Sequence, residues 1–312
     1  MRIVYLNVEN LFLSSEDAPM KHPLEKDPNK AKEIAKFLLD FNPDIIWLIE
    51  VGGEESLKNF NAKYLSDHFI PSLIPGNSDR GIELGLLIKK NLPYRFEHLT
   101  HKNRPLHFNY PHEIAANQMA AKVGNPPPFE GHKLSRDFGE VRIYDPGSDI
   151  PKLIVLCAHL KSQLDPKGID PRSSTRREAE AKLLAQVVET ITQYFGGQVP
   201  VIFGGDMNAH INDPELLALK RLPHQELCDI LKLPHHDRVT HVYFDKWDKR
   251  IEQQMDFCFV PPQLTNKIDS VNSGIYRWRG KEENLLPLPQ NQFQRYGLPS
   301  DHYPVVLSLE IG

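Results

Sequence analysis

The chain has 312 residues, 25% of them charged, with a formal net charge of −4. That length suits one large α/β or sandwich domain or two ordinary ones, and the charge excludes a global basic field, leaving nucleic-acid contact to local patches. Cys157, Cys228 and Cys258 lack metal-finger spacing and read as reduced core residues, which excludes a zinc finger or a disulfide framework.

Met1 is followed at once by the apolar strand 2–8, RIVYLNV, with no basic leader or cleavage site. This predicts a soluble, cytoplasmic protein without a Sec signal peptide, with export by other signals left open. A polar loop follows, then NKAKEIAKFLLDF, whose Ile34, Phe37, Leu38 and Phe41 recur at helical spacing. PDIIWLIE is a second strand. RGIELGLLIKKN, RFEHLTH, QMAAKV and RDFGEVRIYD read as further strands or hairpin arms. PKLIVLCAHL is a strand, STRREAEAKLLAQVVETITQYF an amphipathic helix, and PVIFGG a strand, so strand–helix–strand occurs twice. RVTHVYF, MDFCFV and DHYPVVLSLEI complete the strands. The longest apolar runs fall far below the roughly 20 residues of a membrane span. Segments 101–113, 124–134 and 278–298 read as long surface loops in a single domain, 1–312, and no obligate protein partner is evident. Two packed sheets flanked by helices are predicted.

Six of the apolar runs carry polar residues at one end. Asn7 and Glu9 end the first, Glu50 the second, His159 the strand LIVLCAH, and Asp206 and Asn208 the strand VIFGGD. Asp256 precedes FCFV, and Asp301 and His302 precede YPVVL. If those last two strands run antiparallel to the other four, all these groups share one rim. Taken singly, Asn7, Glu9 or Asn208 is also an ordinary turn residue or cap, and His159 also suits a satisfied core position. Glu50 is harder to explain structurally, because a carboxylate at the edge of a buried sheet is costly unless paired, hydrated or bound to a cation.

Clustered carboxylates and amide oxygens suit a hard divalent ion, and Mg²⁺ takes one or two protein carboxylates with waters and substrate phosphate completing its octahedron. Histidine beside carboxylate adds a group able to donate to phosphate or move a proton. Metal-assisted phosphoester hydrolysis uses all of these parts.

The motifs LNVENL, IWLIEV, CAHLKS, GGDMNAH, QMDFCFV and SDHYPVV, in this order over nearly the whole chain, resemble the endonuclease/exonuclease/phosphatase superfamily with its DNase I-like fold. The resemblance implies a four-layer α/β/β/α sandwich of two mixed, largely antiparallel sheets. It implies Glu50 as the main Mg²⁺ ligand, with Mn²⁺ as a substitute, Asn7 and Glu9 beside it, and Asp301 completing the metal side. Asp206 would orient or deprotonate the attacking water with Asn208 holding it, and His159 and His302 would bind the scissile phosphate, with Asp256 paired to His302. Gly204 and Gly205 would let backbone and phosphate approach closely.

Many relatives carry a further Tyr or Arg near the phosphate. Here Arg136 in SRDFGEVRI is either that group or a solvated strand-end charge. Lys161 is a second candidate for the phosphate cleft, with Arg176 and Arg177 beyond it. Arg177 is equally a charge on the exposed face of the following helix.

The fold cannot name the substrate. The Trp before Gly-Asp and the Cys-Asp-Arg of inositol-phosphate 5-phosphatases are missing, and no convincing apolar loop suggests a lipid enzyme. HKNRPLHFNY and IYRWRGK mix basic and aromatic residues that either grip a nucleic acid or pack as loops. The favoured expectation is a Mg²⁺-dependent phosphodiesterase, a nuclease acting on nucleic acid. The alternatives are a phosphomonoesterase of a small-molecule or lipid-headgroup phosphate and a non-catalytic binding module.

Overall fold

A computed structural model of the chain describes residues 1–14, 22–280 and 282–311. Residues 15–21 of the polar loop expected after the first strand, and residue 281 of the expected loop 278–298, lie outside the described residues. The chain begins β1 (Arg2–Leu11), α1 (Pro28–Phe41), β2 (Ile45–Val51), α2 (Gly53–Tyr64), β3 (Phe69–Leu73), β4 (Glu83–Lys89) and β5 (Arg95–Thr100). It continues β6 (Pro105–Leu106), α3 (Pro111–Lys122), β7 (His132–Lys133), β8 (Phe138–Tyr144), β9 (Leu153–His159), α4 (Ser174–Tyr194) and β10 (Val201–Asp206). The last third holds α5 (Leu217–Lys220), β11 (Gln225–Glu226), α6 (Leu227–Ile230), β12 (His241–Phe244), β13 (Arg250–Gln253), β14 (Asp256–Val260), β15 (Gly274–Ile275), α7 (Gln292–Tyr296) and β16 (Val305–Ser308).

Two six-stranded sheets form, one in the order β15-β16-β1-β2-β4-β3 and the other β11-β14-β10-β9-β8-β5. Period-2 alternation along each strand builds the layers. In β1, Ile3 and Tyr5 point inward and pack with Trp47, Val155, Ile202 and Cys258 between the sheets. Val4, Leu6 and Val8 point outward and meet Ile34, Phe37 and Leu38 of α1. On the second sheet, Ile154, Leu156 and Phe203 turn outward onto Leu184, Val187 and Val188 of α4. The result is the four-layer α/β/β/α sandwich, and each fully buried aliphatic or aromatic side chain contributes about 1.5–3 kcal/mol to it.

Helix α1 starts where Asp27 accepts from the backbone N–H of Asn29 at 2.7 Å and Lys30 at 3.4 Å, with Pro28 in the first turn, and it stops at Asn42, whose φ of 53° is left-handed. In the two strand–helix–strand units, β1 and β2 pair in parallel, as do β9 and β10. β16 runs antiparallel to β1 and β14 antiparallel to β10. The starts of β14 and β16 therefore lie at the same rim as the ends of β1, β2, β9 and β10.

Some expectations change. QMAAKV is the end of helix α3, not a strand. Glu113 reaches back to the Tyr110 backbone N–H at 2.8 Å and Pro111 opens the first turn, which fixes a helix despite a six-residue stretch too short to reveal its period. β6 and the first turn of this helix lie within the expected loop 101–113, β7 within 124–134 and α7 within 278–298. β12 pairs with β13 in a separate hairpin outside both sheets. Gly204 and Gly205 also have a different use. A Cβ on Gly204 would lie 2.5 Å from Phe257 O, and one on Gly205 2.1 Å from Ala158 O, so both make room for neighbouring strands.

Candidate active site

Irregular strand ends aim the polar side chains. The β1–β2 register shifts between Asn7 and Leu11, and the β2–β4 register between Ile49 and Val51. Glu9, Asn10, Glu50 and Asn208 all adopt left-handed φ, 50°, 58°, 71° and 52°. Non-glycine residues in that region cost of order 1–3 kcal/mol where nothing local compensates, a cost carried by the surrounding sheets.

Asn7 joins the sheets. Its Nδ2 donates to Asp206 Oδ2 at 3.0 Å, and its Oδ1 accepts from Glu9 N at 3.0 Å. Asp206 Oδ1 accepts from Asn208 N at 2.9 Å, while Asn208 Nδ2 donates to Leu160 O at 3.1 Å. Burial, followed by repulsion from the Asp256 carboxylate, raises the Asp206 pKa above the usual aspartate range. His159 Nε2 lies 3.7 Å from Asp206 Oδ2 and 3.9 Å from Glu50 Oε1. Burial and then the nearby Arg136 guanidinium hold its pKa well below 6.5, so this imidazole is neutral.

His302 has the opposite state. Burial works against its charge, but Asp256 Oδ2, which accepts from His302 Nδ1 at 2.7 Å, outweighs that cost and raises the pKa well above 6.5. The pair is fixed from behind. Thr240 Oγ1 accepts from Met255 N at 2.8 Å and Asp256 N at 3.0 Å. Ser300 Oγ accepts from His302 N at 3.1 Å and donates to Asn7 O at 2.7 Å, and Trp278 Nε1 donates to His302 O at 3.1 Å.

The structure thus brings Asn7, Glu50, His159, Asp206, Asp256 and His302 together at the rim, with Asn208 beside Asp206. Glu50 Oε2 accepts from Asn10 N at 3.2 Å. Glu9 and Asp301 have cations of their own. Glu9 lies 3.6 Å from Lys26 Nζ and 3.5 Å from Lys30 Nζ. Asp301 pairs with Arg295, and its carboxylate lies 3.6 Å from His241 Nε2 and 4.0 Å from His302 Nε2. Burial alone would raise its pKa, but the neighbouring His241 and the His302 charge hold it well below the usual range. Among the described residues, two triads could each place three ligand atoms around one ion, His241–Asp301–His302 and Asp206–Asp256–His302.

Arg136 is buried, and its pKa is lowered by burial against the opposing pull of Glu180, Glu50 and Asp206. Its Nη1 makes a long 3.4 Å bond to Ser135 Oγ. It is therefore no solvated strand-end charge. Lys161 Nζ donates to Leu164 O at 2.8 Å. Arg177 is not on an exposed helix face either. It is buried and donates to Lys161 O at 3.1 Å and Glu215 Oε1 at 2.8 Å, a structural tie. Thr240 and His241 had no sequence signal, Trp278 lies in the IYRWRGK stretch and Arg295 in the expected loop 278–298 without a role in this site having been read for either, and Ser300 stands beside Asp301 in the SDHYPVV stretch.

Solved structures share this architecture. TDP2 of D. rerio, complexed with a single-strand DNA product, superposes with a TM-score of 0.61 at 15% identity, covering 100% of this chain and 99% of that one. The human Nocturnin catalytic domain with bound sulfate gives 0.59 at 16%, covering 98% and 92%. An endonuclease/exonuclease/phosphatase from Bacteroides vulgatus gives 0.56 at 15%, covering 99% and 98%. No curated protein matches the chain in sequence. A family model matches residues 4–302, spanning every strand end described above, and the chain belongs to the Endonuclease/Exonuclease/phosphatase family of phosphoester hydrolases.

Proposed function

We propose that the protein is a divalent-metal-dependent phosphodiesterase that cleaves nucleic acid. The observation that carries this reading is one buried site that sets His159 Nε2 3.7 Å from the Asp206 carboxylate, itself held by Asn7, beside the hydrogen-bonded pair His302 and Asp256. A neutral phosphate donor, a charged one and a carboxylate able to accept a proton are the groups that phosphoester hydrolysis by water requires.

The donor set fits a hard ion. Glu50 supplies a partly exposed carboxylate whose Oε1 faces neutral His159, and Mg²⁺ prefers such a single carboxylate with waters. A Mg²⁺ or Mn²⁺ ion held by Glu50 would neutralise charge on the phosphoryl oxygens. Asn7 orients Asp206 through its Nδ2, and Asp206 takes the proton as water attacks phosphorus in line. The bond from phosphorus to the leaving oxygen breaks with inversion. His159, His302 and Arg136 donate to the phosphoryl oxygens, and Asp256 keeps His302 charged. Nucleic acid is favoured as substrate because TDP2 of D. rerio, with the same architecture, was solved with a DNA product.

The test is turnover of single- and double-stranded DNA, RNA, bis(p-nitrophenyl) phosphate and p-nitrophenyl phosphate with Mg²⁺, Mn²⁺ or EDTA, beside Glu50→Gln and Asp206→Asn. Strand cleavage lost in EDTA and in both variants is expected. Turnover of the monoester alone would replace the reading with a phosphomonoesterase. Metal-independent ligand binding with no turnover would leave a binding module.

A further inference from the structure

A cleft of about 940 Å³ adjoins the rim. Three segments wall it: the loop before β4, the α3 region 110–136, and the loop after β9. Six cationic side chains line it, Arg80, Lys133, Arg136, Lys161, Lys167 and Arg176, against four carboxylates. Three of those carboxylates are turned into the walls. Asp170 accepts from Thr175 N and Arg176 N at 3.0 Å, Asp165 from Asp170 N at 2.9 Å, and Glu113 from Tyr110 N at 2.8 Å. In a chain of net charge −4 this is a local anion-attracting surface.

Arg136 links the cleft to the rim. It is 8% exposed, and its Nε has no hydrogen-bond partner among the described residues. A buried guanidinium with unused donors is costly, and a phosphate would satisfy it. The cleft also carries apolar surface that the fold does not use. Phe129 is 38% exposed, Leu164 71% and Ile169 42%, from two different walls, with the exposed ring of His112 among them. One aromatic face, that of Phe129, with aliphatic Leu164 and Ile169 around an imidazole suits a heteroaromatic ring with polar edges better than an acyl chain.

We infer that this cleft binds an unpaired nucleotide joined to the scissile phosphate, its phosphate toward Arg136 and its base against Phe129 and Leu164. The inference rests on the phosphodiesterase reading for the word scissile, while the binding itself stands apart from it. The volume lies at the upper end of pockets built for single small ligands, so it takes one or two nucleotides and not a duplex.

Binding is measured first in EDTA, by fluorescence of 2-aminopurine deoxynucleotide 5′-phosphate and of a single-stranded oligonucleotide ending in 2-aminopurine. Phe129→Ala and Leu164→Ser each alter an exposed side chain. Phe129→Ala is expected to weaken binding about tenfold, the scale of one lost base stack, and Leu164→Ser to weaken it in the same direction. Methyl phosphate affinity is expected to stay at its wild-type value in both. With Mg²⁺, KM for the oligonucleotide should rise while kcat and the turnover of bis(p-nitrophenyl) phosphate hold. Equal affinity of oligonucleotide and mononucleotide supports a free-nucleotide ligand in this cleft, and tighter oligonucleotide binding supports a strand end. Wild-type nucleotide affinity in both variants, equal weakening of methyl phosphate, or tighter binding of a duplex with an internal 2-aminopurine would overturn the inference. Base-dependent binding without turnover of any phosphoester would sink the catalytic reading and leave the cleft standing.

Discussion

Asn7 Nδ2 donates to Asp206 Oδ2 across 3.0 Å, a single buried hydrogen bond joining residues 199 apart in sequence and the rims of two sheets. It leaves Asp206 with one oxygen on Asn208 N and the other on Asn7, so the carboxylate cannot rotate.

Asn7→Ala removes that restraint and leaves a buried carboxylate oxygen short of a partner, at a cost of about 1–3 kcal/mol. The predicted kcat falls about 10²-fold, the scale of losing one preorganised donor, with KM little changed. Steady-state kinetics beside urea unfolding check both, and an unchanged kcat would show that Asp206 needs no orientation from the other sheet.

The His302–Asp256 pair predicts the alkaline limb of activity. His302 donates only while protonated, so activity should decline as pH rises through its elevated folded pKa. Its stability contribution has the same sign. It is complete below the unfolded value near 6.5 and lost as pH rises through the folded value. Asp256→Asn removes the charge that raises the pKa, so the limb should move to lower pH and kcat fall by about 10²- to 10⁴-fold. A pH–rate profile of the variant with its limb unmoved refutes the assignment.

Much of this layout is legible in the sequence, and the exceptions have physical causes. Polar residues that end wholly apolar runs, such as Glu50 after IIWLI, stand out because burial penalises them. The α3 helix does not, because its Ile114 and Met119 and the capping Val123 are exposed and its start is fixed by the Tyr110–Glu113 cap and not by an apolar stripe. Arg177 looks like any helix-surface charge until the loop after β9 is folded over it. Thr240 and His241 reach the site through a hairpin outside both sheets, and no local pattern encodes that placement.

Glu226 predicts a separate pH effect on stability. Burial pushes its carboxyl up to about 7, although Gln254 Nε2 donates to it at 3.1 Å and Asp229 N at 3.2 Å. The folded state then binds a proton more tightly than the unfolded chain, so stability falls as pH rises from the unfolded value near 4.3 to about 7. A shift of that size is worth about 3 kcal/mol in order of magnitude. Glu226→Gln should flatten the slope of unfolding free energy over this window, and an unchanged slope would assign the effect to another group.

Gly205 offers the sharpest test of how the sheet is built. Its φ of 121° is reserved for glycine, and a Cβ there would lie 2.1 Å from Ala158 O in the adjacent strand. Gly53 shares a left-handed φ, 91°, but a Cβ on it meets nothing within 4 Å. Gly53→Ala therefore carries backbone strain alone, about 1 kcal/mol, whereas Gly205→Ala adds a backbone clash and should cost about 4 kcal/mol or fail to fold. Urea midpoints of the two variants separate strain from clash. Equal midpoints would mean that β10 can move away from β9, and Asp206, the last residue of β10, would then not be held by the sheet.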